Sequence, residues 1–340
     1  MTREVRIIRL LTILAVLFLA LLFFMGCGEK TGGGKAAPGA SPNQTIKVSG
    51  AWALYPMMVR WGEEYGKLHP RIRVDISAGG AGKGMADALS NLVDMGMVSR
   101  EVHPEEVKRG AFVIPVVKDA VFPTLNEANP ALAKGLSSRG IKKKTFIDLW
   151  IDGRPLTWGE VAGVDSKDNV QVYTRSDACG AAETWAQYLG GKRQEDLKGV
   201  GVYGDPGLAE AVRKDVFGIG YNNLNYGYDA KTGFPLPGLQ IILIDVNENG
   251  RIDPQEDLKT KEKAIQAVNT GAYPAPPARD LYLVAKDRFK GPALEFIRWI
   301  LTEGQRYVDE MGYIPLKEAQ IREALKGLRH ESPSAEKDTK

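Results

Sequence analysis

Three times in this chain a run of strand-forming residues ends in a loop of small residues that opens directly into a helical segment: Ser49-Gly50-Ala51-Trp52-Ala53, residues 78–84 and residues 175–182. A helix start leaves backbone N–H groups without acceptors and carries a partial positive charge. Small side chains let a ligand approach that backbone closely. Such turns, brought together, form an anion site that needs little net charge. The segments between them alternate in type. Residues 45–50 read as strand, 55–69 as helix (Met58, Trp61, Tyr65 and Leu68 at helical spacing), 72–76 as strand, 85–92 as helix and 94–99 as strand. That order implies a parallel sheet in an α/β fold. Further strands are expected at 170–174, 218–221 and 281–285, and helices at 183–189, 208–214 and 292–309, the last burying Leu294, Ile297, Leu301 and Val308.

The N-terminus reads as an export signal. Arg3, Arg6 and Arg9 precede an apolar run from Leu10 to Met25, too short to cross a bilayer, which ends at Phe24-Met25-Gly26-Cys27. The Gly-Cys ending resembles a bacterial lipobox, so residues 1–26 are expected to be removed and Cys27 lipidated, leaving an exported protein anchored to the outer face of a membrane or held in the periplasm. Residues 27–44, rich in Gly, Pro, Ser and Lys, are expected to be a flexible tether. The polar tail 329–340 is expected to be disordered. The chain carries +3, and losing three arginines and one glutamate with the signal brings it to +1 (3 − 3 + 1), which offers no basic field for nucleic acid. Cys179 is then the single thiol, so no internal disulfide forms. His69, His103 and His330 are scattered without metal-ligand spacing.

VSGAWALYPMMVRWGEEY, ISAGGAGKGMADAL, YTRSDACGAAETWAQYL and GVYGDPGLAEAVRKDVFGIGYNN resemble, in this order, the anion-binding segments of the phosphate-binding proteins of high-affinity phosphate ABC importers. The likeness extends over residues 45–316. It implies a two-lobed clamshell of the type II periplasmic-binding-protein class: lobe one from 45–116 plus 278–328, lobe two from 117–277, and crossovers near 113–122 and 273–282. It also implies a small anion as ligand, phosphate first, an ABC permease as partner, a monomer, and no catalysis. Carried over position by position, the site comprises Ala53 and Leu54, Ala81, Ser99 with Arg100, Arg175, Asp177, Cys179, Gly180 and Ala181. Ala53, Ala81, Cys179 and Ala181 stand where the family has hydroxyls, and Ser99 where it has a carboxylate. Buried hydrogen bonds to a charged group are worth about 1.5–3 kcal/mol each, so a different or larger anion is the alternative ligand. Ser49, Lys83, Ser99, Arg100 and Tyr221 are candidate replacement donors, and Trp52 and Trp185 candidate walls.

A second motif is independent of that likeness. Asp245-Val246-Asn247-Glu248-Asn249-Gly250-Arg251-Ile252-Asp253-Pro254-Gln255-Glu256 fits the calcium loop D-x-N-x-N-G-x-I-D-x-x-E. Short oxygen donors at Asp245, Asn247 and Asn249, the Arg251 carbonyl, Asp253 and a bidentate Glu256 surround one centre, and Gly250 allows the sharp turn. A structural Ca²⁺ is expected there, with no organic cofactor. Two other functions stay open at this level: a calcium-dependent surface sensor or adhesin, and an enzyme using Cys179 as nucleophile.

Overall fold

The computed structural model describes residues 44–329. The signal, Cys27, almost all of the tether and the tail after Arg329 lie outside the described residues. In chain order the elements that position the site are β1 (Gln44–Gly50), α1 (Tyr55–Leu68), β2 (Ile72–Ala78), α2 (Ala81–Leu89), β3 (Met95–Val98), α3 (Pro104–Lys108), β4 (Ala111–Asn126), α4 (Lys143–Trp150), β5 (Gln171–Arg175), α5 (Gly180–Tyr188), β6 (Val200–Val202), α6 (Gly204–Lys214), β7 (Gly218–Asn223), α7 (Leu224–Gly227), β8 (Leu239–Ile241), α8 (Lys261–Thr270), β9 (Ala278–Lys286), α9 (Gly291–Leu301) and α10 (Glu318–Gly327).

The strands form one sheet in the order β2-β1-β3-β9-β4-β7-β5-β6, with β8 on β4. Parallel pairing is confined to its two ends, β2-β1-β3 and β7-β5-β6; β9 and β4 run antiparallel to their neighbours. The sheet is therefore mixed where the strand–helix alternation implied a parallel one. The reason lies in β4 and β9, which pass through the middle of the sheet and serve both halves. Two large hydrophobic cores result among the described residues, with a small satellite of Ala209, Val212 and Leu239. One draws on residues 46–117 and 281–324, including Trp61, Tyr65, Met97 and Phe296. The other draws on residues 120–273 with Ile314, around Phe146, Trp150, Trp185 and Tyr221. We call these lobe one and lobe two. Between them β4 changes register at Pro115/Val117, next to a proline that cannot donate to the ladder.

Two helices differ from their sequence expectation. The stretch 292–309 breaks after Leu301: the Thr302 hydroxyl turns back to the carbonyls of Arg298 and Trp299, and a short 3-10 turn, Glu303–Tyr307, follows. The indole of Trp61 holds that turn through Gly304 O at 2.8 Å. The helix expected at 208–214 begins four residues earlier, at Gly204, with Pro206 in its first turn, where a missing N–H costs nothing.

Candidate functional site

All three small-residue turns lie at the C-terminal ends of their strands and face one another where the lobes meet: β1 and β2 reach the junction from lobe one, and β5, parallel to β7 and opposite in direction, reaches it from lobe two. In the first, Gly50 O accepts the amides of Gly79 and Gly80 from the second, at 2.9 and 3.0 Å. Ala53 and Leu54 are buried, and the Ala53 carbonyl accepts the Tyr313 hydroxyl at 2.7 Å. In the second, Gly80 has φ +92° and caps α2, and Ala81 is fully buried. In the third, Cys179 caps α5 through its own sulfur: Sγ accepts the Ala182 amide at 3.3 Å. Gly180 and Ala181 thereby open α5, at positions that have no intrahelical acceptor for their N–H groups.

The second and third turns meet across the lobes. Gly82 N donates to Ala178 O at 3.0 Å. Glycine is required for two of the approaches. A Cβ on Gly80 would fall 2.6 Å from Ala178 O, and one on Gly180 would fall 2.1 Å from Ser99 O. Ser99 is thus seated against the start of α5.

Arg175 ends β5 beneath these turns. Its side chain has no solvent exposure. Nε and Nη2 clamp Asp177 at 2.8 and 2.6 Å, and Nη1 donates to Asp205 at 2.7 Å. The Gly204 amide adds a bond to Asp177 at 3.1 Å, and the Tyr221 hydroxyl accepts from Arg175 N while pairing with Thr174. Burial opposes the guanidinium charge, but the carboxylates of Asp205 first and then Asp177 hold its pKa above the ordinary arginine value. Burial likewise raises the Asp205 carboxyl against the pull of Arg175. Two carboxylates share one cation, so the cluster carries about one negative charge when all three groups are ionised. With Arg175 neutralised by Asp177 and Asp205, an anion placed here would have the helix starts and backbone N–H groups as its donors. Burial also pushes the Cys179 thiol up to about 12, so it is a cap and a poor nucleophile at neutral pH.

Other candidates are engaged elsewhere. Arg100 is committed to a bidentate pair with Glu106 at 2.9 and 2.7 Å. Lys83 and Ser49 both bond Asp87 on α2. Trp185 is packed among Phe146, Trp150 and Tyr221 in the lobe two core, which removes it as a wall of the cleft. Trp52 does sit at the lobe junction, edge-on to Tyr203 at 6.3 Å and against Gly204. Three contributors escaped the sequence reading. Asp205 lies thirty residues beyond its arginine, and Gly204-Asp205-Pro206 signals only a helix start. Tyr313 reaches Ala53 from the far end of the chain. Arg279, on β9, bonds Gly180 O at 2.5 Å, Thr184 at 2.9 Å, Asp119 at 3.2 Å and Asn223, tying the crossover strands to the start of α5.

The calcium-type loop closes on itself in register. Asp245 accepts the amides of Asn249 and Gly250 at 3.0 and 2.8 Å. Asn247 and Asn249 both donate to Asp253, and Glu256 accepts the amides of Val246 and Asp253 at 2.9 Å each. Gly250 has φ +83°. Ile252 packs against the lobe two core and its amide bonds Ser138 O at 2.9 Å. Asp245 and Glu256 are 1% and 5% exposed, and no lysine or arginine pairs with either among the described residues. Nor do the described residues hold a group of three or more His, Cys, Asp or Glu gathered as a metal cluster; the loop's donors are a mixture of carboxylate, amide and backbone oxygens.

Comparison with known proteins places the chain as a whole. A family model described as a PBP superfamily domain matches residues 35–303. The chain is similar to the phosphate-binding protein PstS of Pseudomonas aeruginosa, 26% identical over 317 residues and covering 86% of this chain and 88% of that protein. It is similar to PstS of Methanocaldococcus jannaschii at 24% identity, covering 85% and 87%. Among solved structures it is similar to a putative phosphate ABC transporter substrate-binding protein with bound phosphate from Clostridium perfringens (TM-score 0.65, 20% identity, 81% of this chain and 100% of that one). An ABC-type phosphate transport receptor from Vibrio cholerae is similar too (TM-score 0.57, 16% identity, 80% and 100%).

Proposed function

The chain belongs to the PBP superfamily, and from that premise we propose that it is the solute receptor of an ABC importer, taking an inorganic oxyanion, phosphate before others, between its two lobes. The observation that carries this reading is the meeting of three small-residue helix starts over one buried arginine at the lobe junction. The names of the relatives above, phosphate-binding proteins and phosphate transport receptors, point to the same ligand. The function is binding and release, without chemistry: the capped, buried Cys179 is no nucleophile, and closing the clamshell would present one shape to a permease. Export and a lipid anchor at Cys27 belong to the same reading.

Phosphate is expected to raise the unfolding temperature of the mature chain more than sulfate, molybdate, tungstate, phosphonates or small carboxylates do. A ligand bound at a hundred times its Kd stabilises by about 2.7 kcal/mol. A shift with another anion and none with phosphate would reject phosphate; no shift with any would reject the oxyanion reading.

We also propose that residues 245–256 hold a structural Ca²⁺ through Asp245, Asn247, Asn249, the Arg251 carbonyl, Asp253 and Glu256. Its support is the twelve-residue register together with two buried carboxylates lacking a cationic side-chain partner, since buried charges are paired or bind metal. EDTA should lower the unfolding midpoint, Ca²⁺ should restore it, and Asp245→Ala should remove the response. An EDTA-insensitive midpoint with no calcium by elemental analysis would end the proposal.

A further inference from the structure

The pole of lobe one opposite the cleft is built from the connections that the cleft does not use. Strand register brings them together. Gln44, where β1 begins, pairs with Ile72, and its amide bonds Arg71 O at 2.9 Å. Asp94 N bonds Lys47 O, and Asp287 N bonds Gly110 O at 2.7 Å. The turns after α1, α2 and α3 and the turn from β9 into α9 therefore share this pole, and the chain from the N-terminal side enters it.

Its surface is amphipathic. Leu68 at the end of α1, Leu92 in the turn after α2 and Val107 in the last turn of α3 are 54%, 65% and 54% exposed. On the same pole a groove of about 390 Å³ is lined by Arg288, Lys290, Arg298 and Arg329, with Asp287 as its one acid. Asp287 already pairs with Lys286 at 3.3 Å, and Arg298 with Glu295 at 3.2 Å. The exposed Lys108 and Arg109 adjoin across Gly110. Exposed apolar side chains on the same pole as a cation-lined groove suit the boundary between anionic headgroups and acyl chains.

We propose that this pole docks on an anionic phospholipid surface between deliveries, the receptor leaving that surface to turn its cleft to a permease. The proposal rests on the anchor reading in one respect, proximity. Cys27 lies seventeen positions before Gln44 (44 − 27), and if the segment between them is the flexible tether its composition leads one to expect, it would span about 20–25 Å. Charge complementarity and the point where the chain enters the pole both choose the membrane as occupant. A lipid-anchored protein needs a second signal for stable residence, and a basic surface supplies one.

The test uses a chain beginning at Gly28, which has no lipid to confound it and retains all of the described residues, 44–329. It should co-sediment with vesicles containing phosphatidylglycerol and stay in solution with phosphatidylcholine alone, with binding lost at high salt. Each cation near such a surface is worth about 1 kcal/mol, a factor of about five. The double variant K290E/R329E should therefore bind at least about 25-fold more weakly, while its unfolding midpoint stays unchanged. No binding to phosphatidylglycerol vesicles, or binding that K290E/R329E leaves intact, would overturn the proposal. The anchor is read separately, by the mass of the lipidated full chain and of Cys27→Ala, so failure of one does not imitate failure of the other.

Discussion

Replacing Arg175 by Met is expected to destabilise the protein by about 3–5 kcal/mol at neutral pH and to abolish anion binding. The side chain carries no exposure and holds Asp177 and Asp205, themselves 6% and 3% exposed, with three hydrogen bonds. Removing one member of a buried ion cluster costs that much because the remaining charges stay buried without compensation. The pH dependence has a definite sign. Burial raises the Asp205 carboxyl even with Arg175 present, and without the arginine its pKa rises further. A carboxyl whose folded pKa lies above its unfolded value binds the proton more tightly in the folded state. The destabilisation of Arg175→Met should thus be largest at neutral pH and shrink on acidification toward the ordinary carboxylate range near pH 4. Denaturant unfolding at pH 7 and pH 5 reads this directly. Adding Asp205→Asn should recover part of the loss at pH 7, since it removes one stranded charge. A variant that unfolds within about 1 kcal/mol of the parent at pH 7 would show that the cluster is not the keystone of this turn.

The fold was legible because it rests on local pattern. The helical spacing of Met58, Trp61 and Tyr65, the strand alternation from Ile72 and the glycines at strand ends each reflect one element meeting one core. The site was legible only as a set of turns. Which donors face the junction depends on partners distant in sequence. Arg100 had the right charge beside Ser99, but Glu106, six residues on in α3, takes both its terminal nitrogens. Cys179 stands at a ligand position in the resemblance, yet its sulfur is occupied as the cap of α5. Asp205 was invisible because a helix-opening Gly-Asp-Pro carries no information about an arginine on a neighbouring strand. Trp185 was misplaced for a simpler reason: α5 buries most of its circumference, so helical position did not separate a cleft-facing ring from a core ring.

Restoring hydroxyls at the turns should raise phosphate affinity steeply. Ala81 opens α2, Ala181 lies in the first turn of α5, and both are buried at the lobe junction. In Ala81→Ser and Ala181→Thr a donor would be added where the resemblance implies one contacts the anion. A hydrogen bond to a charged group contributes about 1.5–3 kcal/mol, a factor of about 10–150 in Kd for each site. Overpacking acts against this, at about 1–3 kcal/mol when a core position has no room, and it falls chiefly on stability. Cys179→Ser serves as the internal control. Serine caps a helix start better than most residues and is close to cysteine in volume, so this change should leave stability near the parent value and alter affinity least, because its oxygen inherits the bond to the Ala182 amide. Titration calorimetry with phosphate on the three single variants and the double A81S/A181T separates the outcomes. Tighter binding in the serine and threonine variants would place the anion at the two helix starts. Affinity unchanged in well-folded variants would mean that these positions do not face the ligand, and that the receptor grips its anion through the backbone alone or at another point along the junction.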